Sequence, residues 1–155
     1  MLQMNSSITS LYLESNKIGL KGSTDLSESL QMNNTLTFLN LSYNDNIKDE
    51  GIFYISKLLQ NNSSIKTLYL TCNCFGMKGA IYISKSLEMN STLTEFNLSG
   101  NDIEDTGATA ISKSLEQNST LSNLNLYCLF FIITINVNLN IPGNKIGAEG
   151  ASKIV

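Results

Sequence analysis

Apolar residues along this chain first alternate with polar ones, then recur every three or four positions, and the two rhythms follow each other several times. Residues 93 to 118 show the unit most clearly. Phe96-x-Leu98 has period two, which puts both side chains on one face of a strand, whereas Ile111 and Leu115 lie four apart on one face of a helix. Between them come Asn101-x-Ile103 and Gly107. The same order of residues runs from Leu11-x-Leu13-x-x-Asn16-x-Ile18 through Gly22, Leu26 and Leu30, recurs at Leu39-x-Leu41-x-x-Asn44 and at Leu68-x-Leu70-x-x-Asn73-x-Phe75, and starts once more at Leu124-x-Leu126. The markers Leu13, Leu41, Leu70, Leu98 and Leu126 are separated by 28, 29, 28 and 28 residues, with the extra residue at Asp45 or Asn46.

Each unit therefore predicts strand, turn and helix. Neither half can bury its apolar face alone, so neighbouring units must stack around one continuous core. Asn16, Asn44, Asn73 and Asn101 fall at the bend after each strand, where an amide that both donates and accepts can satisfy backbone groups and form a buried file from unit to unit. Gly22, Gly51, Gly79 and Gly107 are expected to open the helices and let neighbouring chain approach closely. Asp25, Asp49 with Glu50, and Asp105 are expected near helix starts, where the dipole favours negative charge. Tyr54 and Tyr82, on helices, are expected to pack rather than to bind.

The pattern L-x-x-L-x-L-x-x-N-x-I, followed by Gly and two further Leu at helical spacing, resembles the leucine-rich repeat, in particular its 28-residue ribonuclease-inhibitor-like subtype. That subtype also forms the C-terminal arrays of NOD-like receptors and the body of Ran GTPase-activating proteins. The resemblance implies an α/β solenoid, a horseshoe fragment with a parallel sheet on the concave side and helices on the convex side. It also implies a protein-interaction module, with regulation of a small GTPase as the alternative.

Residues 1–155 read as a single leucine-rich repeat domain of about five repeats, each of 28–29 residues. Leu2-Gln3-Met4-Asn5 matches Leu30-Gln31-Met32-Asn33, so Met1 falls inside the helix of a unit without its strand, and Asn144-x-Ile146 with Gly150 opens a unit that Val155 ends. The chain thus reads as truncated at both ends. At residues 127–142, YCLFFIITINVNLNIP, the period breaks; this segment reads as an insertion, from a retained intron or gene-model error in preference to a functional loop. Its alternation and the Leu139-x-Ile141-x-x-Asn144 spacing still predict a strand. An apolar run this short cannot span a bilayer, which needs about 20 residues, so no membrane is expected.

Composition narrows the function. Ten Lys, no Arg, no His and a net charge of −3 leave no basic stripe and no bidentate Arg, which argues against nucleic acid. Without His or Arg the commonest general base, metal ligand and phosphoryl-transfer cation are missing, so no enzyme, cofactor, metal or small-molecule substrate is expected. Cys72, Cys74 and Cys128 have neither redox nor zinc spacing and are expected to be buried thiols in a reducing, cytoplasmic setting. Eight Asn-x-Ser/Thr sequons, at Asn5, Asn33, Asn40, Asn61, Asn62, Asn90, Asn97 and Asn118, follow the repeat and are attributed to it rather than to glycosylation. Asp102, Glu104 and Asp105 read as solvated turn residues.

Period two locates the candidate partner surface. Strand residues pointing away from the core include Tyr12, Glu14, Phe38, Asn40, Tyr69, Thr71, Glu95, Asn97 and Asn125. They offer rings with polar tips and amides that bond in both directions, a mixture suited to a protein partner. Glu14 and Glu95 are the only charges on this face.

Overall fold

The structure is a computed structural model that describes residues 2–127 and, as strands, residues 134–135 and 139–140. After a short 3-10 turn at Leu2–Met4, four strand-and-helix units follow: β1 (Ser10–Tyr12) with α1 (Leu20–Leu30), β2 (Phe38–Asn40) with α2 (Lys48–Asn61), β3 (Thr67–Tyr69) with α3 (Met77–Met89), and β4 (Glu95–Asn97) with α4 (Glu104–Leu115). Strand β5 (Asn123–Asn125) opens a fifth, and β6 (Thr134–Ile135) and β7 (Leu139–Asn140) complete a seven-stranded sheet in the order β1-β2-β3-β4-β5-β7-β6. All neighbours are parallel except β6 and β7. This is the α/β leucine-rich repeat solenoid, its helices packed on the opposite side of the sheet from the candidate surface.

The register follows the repeat. Leu11, Leu39, Leu68, Phe96 and Leu124 face one another across five strands, and from Leu39 to Leu124 they are at most 2% exposed. Burial of each such side chain stabilises by about 1.5–3 kcal/mol. Phe75 and Ile103, Ile47 and Ile83, and Leu70 and Leu98 complete the same core. Within the proposed insertion, Leu139–Asn140 pairs with β5 through Leu124 and Leu139, and Thr134–Ile135 pairs antiparallel to it; residues 128–133, 136–138 and 141–142 and the unit at Asn144 lie outside the described residues.

Two files of asparagine tie unit to unit. At the bend, Asn44 is fully buried and takes the N–H groups of Asn16 and Ile18 on Oδ1 at 3.0 and 2.9 Å. Its Nδ2 donates to the carbonyls of Leu13, Leu41 and Ser42. Asn101 repeats this, accepting from Asn73 N at 2.9 Å and donating to Leu70, Leu98 and Ser99. The expected file is there from Asn44 through Asn73 to Asn101, whereas Asn16 is exposed and its Nδ2 turns to Glu14 O of its own unit at 3.0 Å; a second file lies at the helix ends. Asn33, Asn62, Asn90 and Asn118 each accept from backbone N–H groups two and three residues ahead, and their amides donate to carbonyls of the preceding unit. Asn33, Asn62 and Asn90 are thereby buried, which is why those sequons recur at the repeat period.

Several expectations are corrected. The glycines do not open the helices, which begin two or three residues earlier at Leu20, Lys48, Met77 and Glu104. Their close approach is real: a methyl on Gly107 would lie 2.7 Å from the Ala80 side chain, and one on Gly51 would lie 2.8 Å from the Ser23 hydroxyl. Asp25 sits in the body of α1, paired with Lys21 at 3.0 Å one turn away. Asp49 stands in the first turn of α2, but its Oδ1 accepts from Gly76 N and Gly79 N, both at 2.8 Å, and so caps the helix of the next unit. Cys74 is exposed and Cys72 half-buried, because both lie in the post-strand turn with left-handed backbone, φ 56° and 52°. Cys128 lies outside the described residues.

Candidate functional site

The outward positions of β1 to β5 lie side by side because parallel, in-register pairing stacks equivalent residues. Tyr12, Asn40, Tyr69, Asn97 and Asn125 form one column, and Ser10, Phe38, Thr67, Glu95 and Asn123 form the next. The aromatic rings bridge the columns diagonally. Tyr12 and Phe38 have ring centroids 4.9 Å apart, and Phe38 meets Tyr69 edge-on at 5.3 Å. Tyr69 then donates its hydroxyl to Glu95 Oε1 at 2.7 Å. A continuous ridge, Tyr12–Phe38–Tyr69–Glu95, therefore crosses four strands. Tyr12 is 62% exposed, although a ring of that size normally buries most of its surface.

The polar residues beside the ridge are braced by their own strands. Asn40 Oδ1 accepts from Ser42 N at 3.0 Å, Asn97 Oδ1 from Ser99 N at 3.0 Å and Ser99 Oγ at 2.7 Å, and Asn125 Oδ1 from Tyr127 N at 2.9 Å. Each amide nitrogen is left on the open face. Thr71 is bonded to Ser99 Oγ at 3.1 Å, and Glu14 is exposed at the margin. Of the nine candidate residues, the structure brings Tyr12, Phe38, Tyr69 and Glu95 into mutual contact and sets Asn40 and Asn97 alongside. Period two could locate these positions but not the diagonal ring contacts, which depend on side-chain rotamers.

The hydrogen bond that the Glu95 carboxylate accepts from the Tyr69 hydroxyl, together with burial, pushes the Tyr69 phenol from 10.0 up to about 12. Because the folded value exceeds the unfolded one, the stabilisation is complete below pH 10 and is lost as pH rises from 10 through about 12. Spectrophotometric titration is expected to show one tyrosine ionising near 12, returning towards 10 in Glu95→Gln. An unchanged titration in that variant refutes the pairing.

On the opposite side of the molecule, Phe53 contacts Tyr54 at 5.3 Å and Tyr82 at 5.2 Å, with the Lys57 ammonium 4.4 Å from the Phe53 ring centre. Tyr54 and Tyr82 thus pack, as their places on the helices suggest. With Lys78 they line a shallow depression.

Comparison with known proteins agrees with this architecture. A leucine-rich repeat family model matches residues 5–27, 33–56, 61–84, 90–112 and 137–155. No curated protein matches the chain. Among solved structures, leiomodin-1, described as its actin-binding site 2, is 27% identical over 77% of this chain and 70% of its own, with a TM-score of 0.69. The tropomodulin C-terminal domain of Caenorhabditis elegans shares the fold at 12% identity, with a TM-score of 0.74 over 99% of this chain and 84% of its own. Five matched repeats, a 28-residue period and the asparagine-linked parallel sheet place the chain in the leucine-rich repeat family.

Proposed function

We propose that this chain is a non-catalytic protein-interaction module that binds its partner through the concave sheet face. The observation that carries this reading is the aromatic ridge on the open face, exposed Tyr12 with half-buried Phe38 and Tyr69, continued by Glu95. Rings held against one another lose little side-chain freedom on binding, so their contact area converts efficiently into affinity. The 28-residue period and the helix in each of the first four units support the ribonuclease-inhibitor-like subtype, and a cytoplasmic setting goes with the same reading. Likeness to a structure described as an actin-binding site makes actin the first partner to test. The small-GTPase alternative draws no support from the comparisons.

Actin co-sedimentation and affinity capture from native extract should be run with the wild type and with Tyr12→Ala/Phe38→Ala/Tyr69→Ala. The triple variant is expected to lose about tenfold or more in affinity for whichever partner the wild type holds while still unfolding cooperatively. Equal retention of that partner by both proteins overturns the concave site.

A further inference from the structure

The ridge also constrains what kind of segment it receives, an inference that rests on the concave face being the binding face. We propose that it docks a proline-rich segment in polyproline II conformation, running across the strands and carrying a basic residue beside Glu95.

Three features point to this ligand. The first is hydrogen-bond polarity. Asn40 and Asn97 each spend their amide oxygen on the backbone of their own strand, so what they present to a ligand is the Nδ2 donor. A face that offers donors needs a chain that offers acceptors. Proline has no N–H, and the polyproline II backbone leaves its carbonyls unpaired, so such a segment supplies acceptors without donors.

The second feature is spacing. The column alternates ring and amide, Tyr12, Asn40, Tyr69, Asn97, on consecutive strands. Neighbouring strands lie ~4.8 Å apart, so like residues recur every ~9.6 Å. A polyproline II helix advances ~9.3 Å in its three-residue turn. Prolines three apart therefore meet Tyr12 and Tyr69 in succession, while carbonyls half a turn away meet Asn40 and Asn97. Phe38 fills the space between the two tyrosines, 4.9 and 5.3 Å from them, and gives the pyrrolidine rings a continuous apolar floor.

Charge is the third. The outward strand positions carry Glu14 and Glu95 and no lysine. Glu95 is held in place by Tyr69 through Oε1, which leaves Oε2 to meet a cation at the end of the ridge.

The test is calorimetric titration of the full chain with a synthetic peptide of repeated Pro-x-x-Pro units ending in arginine. Controls are the same peptide with alanine for proline and with glutamate for arginine. The proline peptide is expected to bind, and about tenfold more tightly than either control. Tyr12→Ala/Tyr69→Ala should abolish binding. Asn40→Asp/Asn97→Asp keeps the acceptor oxygen for Ser42 and Ser99 but removes the donors, so it should weaken binding of the same proline peptide with alanine in place of arginine several-fold, the added carboxylates then having no cation to attract. Equal binding of the peptide with alanine for proline, or tighter binding of the arginine-free proline peptide by the aspartate variant, overturns the proposal. If the proline peptide fails while a protein partner is still lost in the triple alanine variant, the concave site stands and the polyproline reading falls. If neither is ridge-dependent, both fall.

Discussion

Asn44→Ala is expected to be the most damaging polar substitution in the described structure, costing about 3 kcal/mol or more. The side chain is fully buried and makes five hydrogen bonds, two accepted from Asn16 and Ile18 and three donated to Leu13, Leu41 and Ser42. All five partners are backbone groups, and two of them, the carbonyls of Leu41 and Ser42, lie in buried residues. Alanine leaves them unsatisfied at a cost of about 1–3 kcal/mol each before relaxation, and hydration of the collapsed turn recovers part of it. The same bonds hold Ser15 and Tyr43 in left-handed backbone, φ 58° in both, which L residues adopt at a cost of about 1–2 kcal/mol. Asn44→Ala should therefore lower the denaturation midpoint and also loosen β1 against β2. Hydrogen exchange checks the second point: the amides of Leu13 and Ser15, bonded to Asn40 and Ser42, should exchange faster than that of Leu70. A loss below about 1 kcal/mol would show that the bend is held by strand pairing alone.

Much of this fold was legible because the repeat states each decision several times. One L-x-L is ambiguous between strand and coil, but five at near-constant spacing fix strand, face and register together. The asparagine at the bend was readable for the same reason, since an amide recurring in phase with buried leucines must be satisfying something. What stayed hidden depends on contacts between units. Asp49 looked like a residue for its own helix because the local dipole favours it there; only the stacking shows that its oxygen lies 2.8 Å from Gly76 N and Gly79 N of the following unit. Asp25 misled for the converse reason: a surface pair with Lys21 leaves no periodic signature. Cys72 and Cys74 were expected inside because free thiols usually are, yet the turn buries Asn73 between them and leaves Cys74 exposed and Cys72 half-buried. For the candidate site, period two found the nine positions. It could not show that Asn40 and Asn97 turn their oxygens to their own strands, which converts a two-way amide into a donor.

Phe96→Ala should cost about 3–5 kcal/mol, and Phe38→Ala less than about 1 kcal/mol, although both phenylalanines lie on three-residue strands of equivalent repeats. The difference is phase. Phe96 occupies the inward position, is fully buried, and stands between Leu68 and Leu124 in the register. Phe38 is displaced by one residue and points to the open face, half-buried against Tyr12 and Tyr69. Truncation of Phe96 leaves a cavity that strands on both sides must line, and its effect should spread unevenly. Each unit of a solenoid touches only its neighbours, so β3 and β5 both lose support on the side of β4, while the β1–β2 pair, one unit further away, keeps its own contacts. Amides of Leu98 and Asn123, bonded across β4 and β5 to Asn125 and Thr94, should then exchange faster than those of Leu13 and Thr37 between β1 and β2. Thermal unfolding should broaden as the two ends of the array uncouple. Comparable losses in the two variants would contradict the assignment of inner and outer faces, and with it the ridge on which the proposed partner sits.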